Sequence, residues 1–154
     1  MRKSLITLVL ALAAGCGSEI GDSCTLSIDC SPDGDRQCDS SAKEGYCTIQ
    51  GCDFNTCPDE AVCVSFFSGG FTNRPCESSD DCSLDELCAL DGHCVTQKSE
   101  QRNCMRTCES NDDCRDGYEC RDLQLMIEHG GQPVMSPGQP IDENAPKFCA
   151  AAPA

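Results

Sequence analysis

Apolar and polar positions are distributed very unevenly along this chain. Leu5 to Ala14 (LITLVLALAA) is an uninterrupted apolar run of ten residues behind Arg2 and Lys3. Nothing after it sustains a 3.6-residue period over three turns, so no long amphipathic helix is expected. The rest of the chain carries short apolar patches between turn signals. Asp33-Gly34, Asp91-Gly92 and Asp116-Gly117 mark turns, because Gly accepts positive φ. Ser83 followed by Glu86 predicts a single capped helical turn. Two apolar stretches end at a double glycine: Val64 to Phe67 before Gly69-Gly70, and Leu123 to Ile127 before Gly130-Gly131. Each predicts a hairpin arm. Short strands, hairpins and isolated helical turns are the expected content.

The ten-residue run is too short to span a bilayer, which takes roughly twenty residues. With its basic flank it reads as an export signal over 1–15. The chain has no Trp, five Phe and two Tyr. That is little for a hydrocarbon core over the ~139 residues left after export, and small chains short of buried apolar area compensate with covalent staples or metal. Seventeen cysteines are present. Setting Cys16 aside leaves sixteen, above the ~8–10% level of a disulfide scaffold.

Cysteine spacing supplies the organisation. Gaps of five residues recur at 24/30, 57/63, 76/82, 82/88, 88/94, 108/114 and 114/120. Cys76-Glu-Ser-Ser-Asp-Asp-Cys82 matches Cys108-Glu-Ser-Asn-Asp-Asp-Cys114, and Cys24-Thr-Leu-Ser-Ile-Asp-Cys30 is a looser copy. Each places Asp before the second cysteine (Asp29, Asp81, Asp113). Gly45-Tyr46-Cys47 corresponds to Gly92-His93-Cys94. Cys57 to Cys63 corresponds to Cys114 to Cys120. These matches predict a small disulfide-rich, mostly irregular fold of two tandem modules, 24–76 and 76–149, the second with a long loop at 121–148. A tether (16–23) precedes them and a tail (150–154) closes the chain. Cys76 lies at the seam. Assigned to the first module, it divides the cysteines eight and eight. Assigned to the second, it gives seven and nine, and one bridge must cross. Connectivity stays open among about two million pairings.

All sixteen are expected in disulfides: Cys24, Cys30, Cys38, Cys47, Cys52, Cys57, Cys63, Cys76, Cys82, Cys88, Cys94, Cys104, Cys108, Cys114, Cys120 and Cys149. No Cys-x-x-Cys or Cys-x-Cys occurs, and zinc ribbons and ferredoxin-like sites need such close pairs. Calcium is the remaining metal candidate, through Asp80, Asp81, Asp112 and Asp113, although no stretch has EF-hand spacing. The competing reading is that each Asp before a cysteine caps a turn. No cofactor and no catalysis are expected: His93 and His129 lie in no catalytic motif, and phosphate loops and nucleophile elbows are absent.

Net charge is −15; without Arg2 and Lys3, nine basic residues face twenty-six acidic ones, a charge of −17. Such a surface repels phosphate backbones, so nucleic acid is not an expected partner.

Leu12-Ala13-Ala14-Gly15-Cys16 resembles the lipobox of bacterial lipoproteins. The resemblance implies cleavage before Cys16 and a diacylglyceryl group on its sulfur. Ala13 stands where the family prefers Leu. Gly17 lacks the aspartate that favours inner-membrane retention, which implies the outer membrane, on its periplasmic or surface face. The Cys-x-Ser-x-Asp-Asp-Cys-x5-Cys pattern is similar to repeats of secreted cysteine-rich lipoproteins of Gram-negative bacteria. It shares spacing alone with Dickkopf and colipase modules. The implied role is passive binding or structure at the cell envelope, with a protein or glycan contact. The alternatives are a peptidase inhibitor presenting a loop near Phe66–Phe71 and a calcium-binding module.

Overall fold

The structure is a computed structural model that describes residues 17–69 and 71–153. The expected export signal, Cys16, Gly70 and Ala154 lie outside the described residues. In chain order the elements are α1 (Ser27–Cys30), β1 (Gln37–Asp39), β2 (Tyr46–Thr48), β3 (Ala61–Phe67), β4 (Phe71–Pro75), β5 (Glu86–Cys88), β6 (His93–Thr96), β7 (Glu100–Arg106), β8 (Tyr118–Arg121), α2 (Leu123–His129), β9 (Gln132–Pro133) and β10 (Phe148–Ala151). The strands form four small antiparallel sheets: β1-β2, β4-β6-β5, β7-β3-β9 and β10-β8. This is a small disulfide-rich fold with cysteine-rich groups in tandem.

The bridges obey one rule. Four successive groups of four cysteines each pair first with third and second with fourth. The pairs are Cys24–Cys38 with Cys30–Cys47, Cys52–Cys63 with Cys57–Cys104, Cys76–Cys88 with Cys82–Cys94, and Cys108–Cys120 with Cys114–Cys149. The first bridge of each group closes 14, 11, 12 and 12 residues, nearly constant. The second closes 17, 47, 12 and 35, because extra chain enters before the fourth cysteine. In the second group that extra chain is the entire third group, carried between β3 and β7, which pair from Ala61↔Arg106 to Phe67↔Glu100. Cys76 therefore pairs to its C-terminal side, with Cys88, and Cys57–Cys104 is the bridge that crosses the seam.

The repeated residues have local causes. Gly45 has φ of +67°, and a Cβ there would lie 2.0 Å from the Cys24 carbonyl oxygen. The chain needs that close approach because Cys24 N–H donates to the Glu44 carbonyl as β2 begins. Gly92 performs the same turn before β6, with Cys76 N–H donating to its carbonyl.

Several expected elements differ. Leu123–His129 is a helix: Asp122 caps it by accepting Leu125 N–H, and Gly130 ends it at φ +81°. About two turns of helix leave too little period to reveal it in the sequence. β3 and β4 are not the two arms of the expected hairpin, since β3 pairs with β7 and β9, while β4 pairs with β6. Ser83 and Glu86 close a turn, Ser83 N–H reaching the Glu86 carboxylate, that leads directly into β5 and never becomes helix. Helical turns lie instead inside three Cys-x5-Cys loops, at Ser27–Cys30, Ser79–Asp81 and Asn111–Asp113, and at Gln97–Ser99 between β6 and β7. The predicted tether is folded from Ser18 onward, with Ile20 fully buried at 0% exposure. The predicted tail gives Ala150 and Ala151 to β10.

The core is compact and sulfur-rich. Ile20, Tyr46, Val64, Met105, Tyr118, Met126 and Phe148 pack with Cys52, Cys63 and Cys104. Tyr46 stacks on Tyr118 at 5.5 Å, and Phe148 meets Phe66 edge-on at 6.2 Å. The Arg115 guanidinium covers Tyr118 at 4.2 Å, an attraction to the ring face that desolvation strengthens.

Candidate functional site

The site is a consequence of the β3–β7 pairing. Alternation puts Gln101, Asn103 and Met105 on one face of β7, opposite Phe66, Val64 and Val62. Cys63 and Cys104 face the other way and hold the strands from behind through Cys52 and Cys57. In front of Gln101 and Asn103 lies a cleft of about 340 Å³. Its remaining wall comes from β1 and β2 (Asp39, Tyr46, Thr48), from β8 and β10 (Tyr118, Arg121, Ala150, Ala151) and from His129 at the end of α2.

Most polar groups around the cleft are already engaged. Tyr46 Oη accepts Arg106 N–H at 3.0 Å and donates to the Cys149 carbonyl at 3.3 Å. Burial pushes the Tyr46 phenol up to about 12, so it stays neutral. Thr48 Oγ1 donates to the Cys104 carbonyl at 2.8 Å. Arg121 is buried, and its guanidinium donates to the carbonyls of His129, Gly130 and Ala151 and to Glu119 Oε1. His129 Nδ1 lies 2.7 Å from that same Glu119 oxygen. Arg121 therefore closes the C-terminal end of α2 structurally, and its donors are not free for an anion. The side-chain amides of Gln101 and Asn103 have no protein partner among the described residues, and they sit beside an aromatic edge. Such a surface suits a neutral, hydrogen-bonding ligand.

The calcium candidates are not brought together. Asp81 Oδ2 accepts the N–H groups of Glu77 and Ser78 at 2.9 and 3.0 Å. Asp113 Oδ2 accepts those of Glu109 and Ser110, both at 2.9 Å. Asp29 Oδ2 does the same with Thr25 and Leu26, at 2.9 and 2.8 Å. The Asp before each second cysteine is thus a turn cap. Asp80 and Asp112 are exposed beside it, and among the described residues no three carboxylates converge on one point. The convergent groups among those residues are cysteines of neighbouring bridges. His93 is half-exposed near Asp91 and does not take the buried role of Tyr46. Phe66 of the expected inhibitory loop packs on Phe148.

The three caps give a pH signature. Their backbone donors hold Asp29, Asp81 and Asp113 below the ordinary carboxylate value of 3.8. A lowered folded-state value means their stabilisation is complete above the unfolded value and fades as pH falls through the folded ones. We expect the triple variant Asp29→Asn, Asp81→Asn, Asp113→Asn to melt below wild type at pH 7. The gap narrows below about pH 4, where the wild-type carboxylates protonate. Thermal melts of both proteins from pH 7 to pH 2 check this; a gap that stays constant contradicts it.

No family model, curated protein or solved structure matches the chain. Its class is defined by its own construction, a small cross-linked protein of the extracellular, exported kind, since dense bridging is characteristic of oxidising compartments. Among the described residues no helix is long and apolar enough to cross a membrane.

Proposed function

We propose that this chain is a lipid-anchored binding protein of the bacterial cell envelope. It is held at the outer membrane through Cys16, and it takes a neutral polar ligand of the glycan or peptide-backbone kind without transforming it. The uncommitted amides of Gln101 and Asn103, side by side in the cleft, carry the binding part. The anchoring part is supported by Leu12 to Cys16 behind the apolar run and by the bridge count. The sixteen cysteines from Cys24 to Cys149 form eight bridges among themselves, and Cys16 is the seventeenth of the sequence. A second attachment by charge is disfavoured at −17, so the lipid supplies the membrane affinity.

Binding to isolated cell-wall sacculi, which present both glycan and peptide, tests the reading. Replacing both Gln101 and Asn103 with Ala removes two neutral hydrogen-bonding groups at about 0.5–1.5 kcal/mol each, so affinity should fall roughly five- to 150-fold. Both side chains sit at the cleft surface, so the bridges and melting temperature stay at wild-type values. Equal retention of wild type and variant contradicts the role of the cleft.

A further inference from the structure

The first folded residues have a geometric consequence for how the protein meets the membrane. Ser18 Oγ donates to the Asp29 carbonyl at 2.7 Å, and the Arg36 guanidinium donates to the Ser18 carbonyl. Glu19 pairs with Arg106 at 3.0 Å. Ile20 is fully buried, and Gly21 N–H donates to the Cys47 carbonyl at 2.9 Å. The chain is thus fixed to the body from Ser18, with one residue, Gly17, between it and Cys16. Two residues of extended chain reach at most about 7 Å. The headgroup zone on each side of a bilayer is of similar depth, roughly 5–8 Å. An acylated Cys16 therefore leaves no slack, and the element tied to Ser18 must abut the lipid.

That element is α1. Its N-cap Leu26, at 62% exposure, and its Ile28, at 66%, are among the most exposed large apolar side chains of the described residues. Both belong to the turn whose last residues hold Ser18. The neighbouring charges are acidic. Asp22 and Asp29 are engaged with backbone N–H groups, Asp33 and Asp35 face solvent nearby, and Arg36 is taken by Glu60 and the Ser18 carbonyl. Among the described residues no free cation stands there to favour an anionic headgroup. We propose that the α1 turn, through Leu26 and Ile28, lies against a neutral or zwitterionic lipid surface beside the acylated Cys16 and so fixes one face of the protein toward the membrane. This rests on reading Cys16 as the lipid carrier.

The absence of Trp makes the test direct. Mature acylated protein carrying Ile28→Trp is reconstituted in phosphatidylcholine vesicles with and without brominated acyl chains. A side chain seated about 5–10 Å into the headgroup boundary emits to the blue of its value in water and is quenched by brominated lipid. Leu84→Trp, at a site 103% exposed on the third cysteine group, serves as the comparison and should emit as in water. Leu26→Trp repeats the measurement at the adjacent site. Protein that floats with the vesicles while the Trp at 26 and at 28 stays unquenched overturns the docked face and leaves the anchor standing. Equal quenching at 28 and 84 overturns a fixed orientation. Protein that carries no acyl mass and does not float overturns both readings.

Discussion

Full reduction of the eight bridges unfolds this protein at room temperature in the absence of denaturant. Among the described residues, nine of the twenty buried apolar ones are half-cystines, and the large hydrocarbon side chains at full burial are few: Phe148, Ile20, Met126, Val64 and Val95. Loops of 11–17 residues are worth about 3 kcal/mol per bridge in the unfolded-chain entropy account. Half of the bridges at that value already reach the ~5–15 kcal/mol by which folded domains are stable at all. The interlocked pairing strengthens the expectation, because each group's second bridge starts inside the loop closed by its first. Far-ultraviolet circular dichroism and the tyrosine signal of the Tyr46–Tyr118 stack should both change to those of an open chain on adding reductant. A reduced sample that keeps native dichroism contradicts the account.

Removing a single bridge has its largest effect at Cys57–Cys104. It closes 47 residues, the longest span of the eight. The same entropy account assigns it about 4 kcal/mol, against about 3 for the 12-residue Cys76–Cys88 loop. Packing widens the difference. Cys104 is completely buried on β7 opposite Cys63, whereas Cys76 and Cys88 are both partly exposed. The bridge also fixes β7 behind the cleft while the third group loops out between β3 and β7. The pair Cys57→Ala with Cys104→Ala should lower the melting temperature by about 15 °C, at the few degrees per kcal/mol expected for a chain of this size. It should also loosen Gln101 and Asn103 and weaken the binding attributed to them. Cys76→Ala with Cys88→Ala should cost less and leave binding intact. Equal losses for the two pairs contradict the placement of Cys57–Cys104 as the central tie.

Much of this was legible because the sequence repeats itself. The Asp before Cys30, Cys82 and Cys114 caps a turn through paired backbone N–H groups, and that geometry needs only neighbouring residues. Gly45 and Gly92 mark positive φ for a comparably local reason. Pairing was not legible, because the partner of Cys57 lies beyond an inserted group of four cysteines that has the same spacing. The cysteine at the seam illustrates the point: spacing alone lets Cys76 belong to either side, and the long-range partnership of Cys57 with Cys104 decides it. Ile20 carries no periodic signal, since one apolar residue among polar ones defines no face, and so the folded start of the chain read as tether. Helix α2 has its cap residues, Asp122 and Gly130, in plain view, but seven residues hold too few turns to separate a helix from a hairpin arm. The cleft was invisible for a different reason. Its lining comes from several separate elements, and Gln101 and Asn103 gain meaning only when β7 pairs with β3.

The most direct test of the account is the intact mass of protein taken from native membranes and alkylated before and after reduction. Sulfur cross-links in place of a hydrocarbon core require no alkylation of the native material and sixteen alkyl groups after reduction. The chain should begin at Cys16 and carry the added mass of acyl groups. Native protein that takes up alkyl groups throughout, or that releases a stoichiometric metal ion from its thiolates, contradicts it.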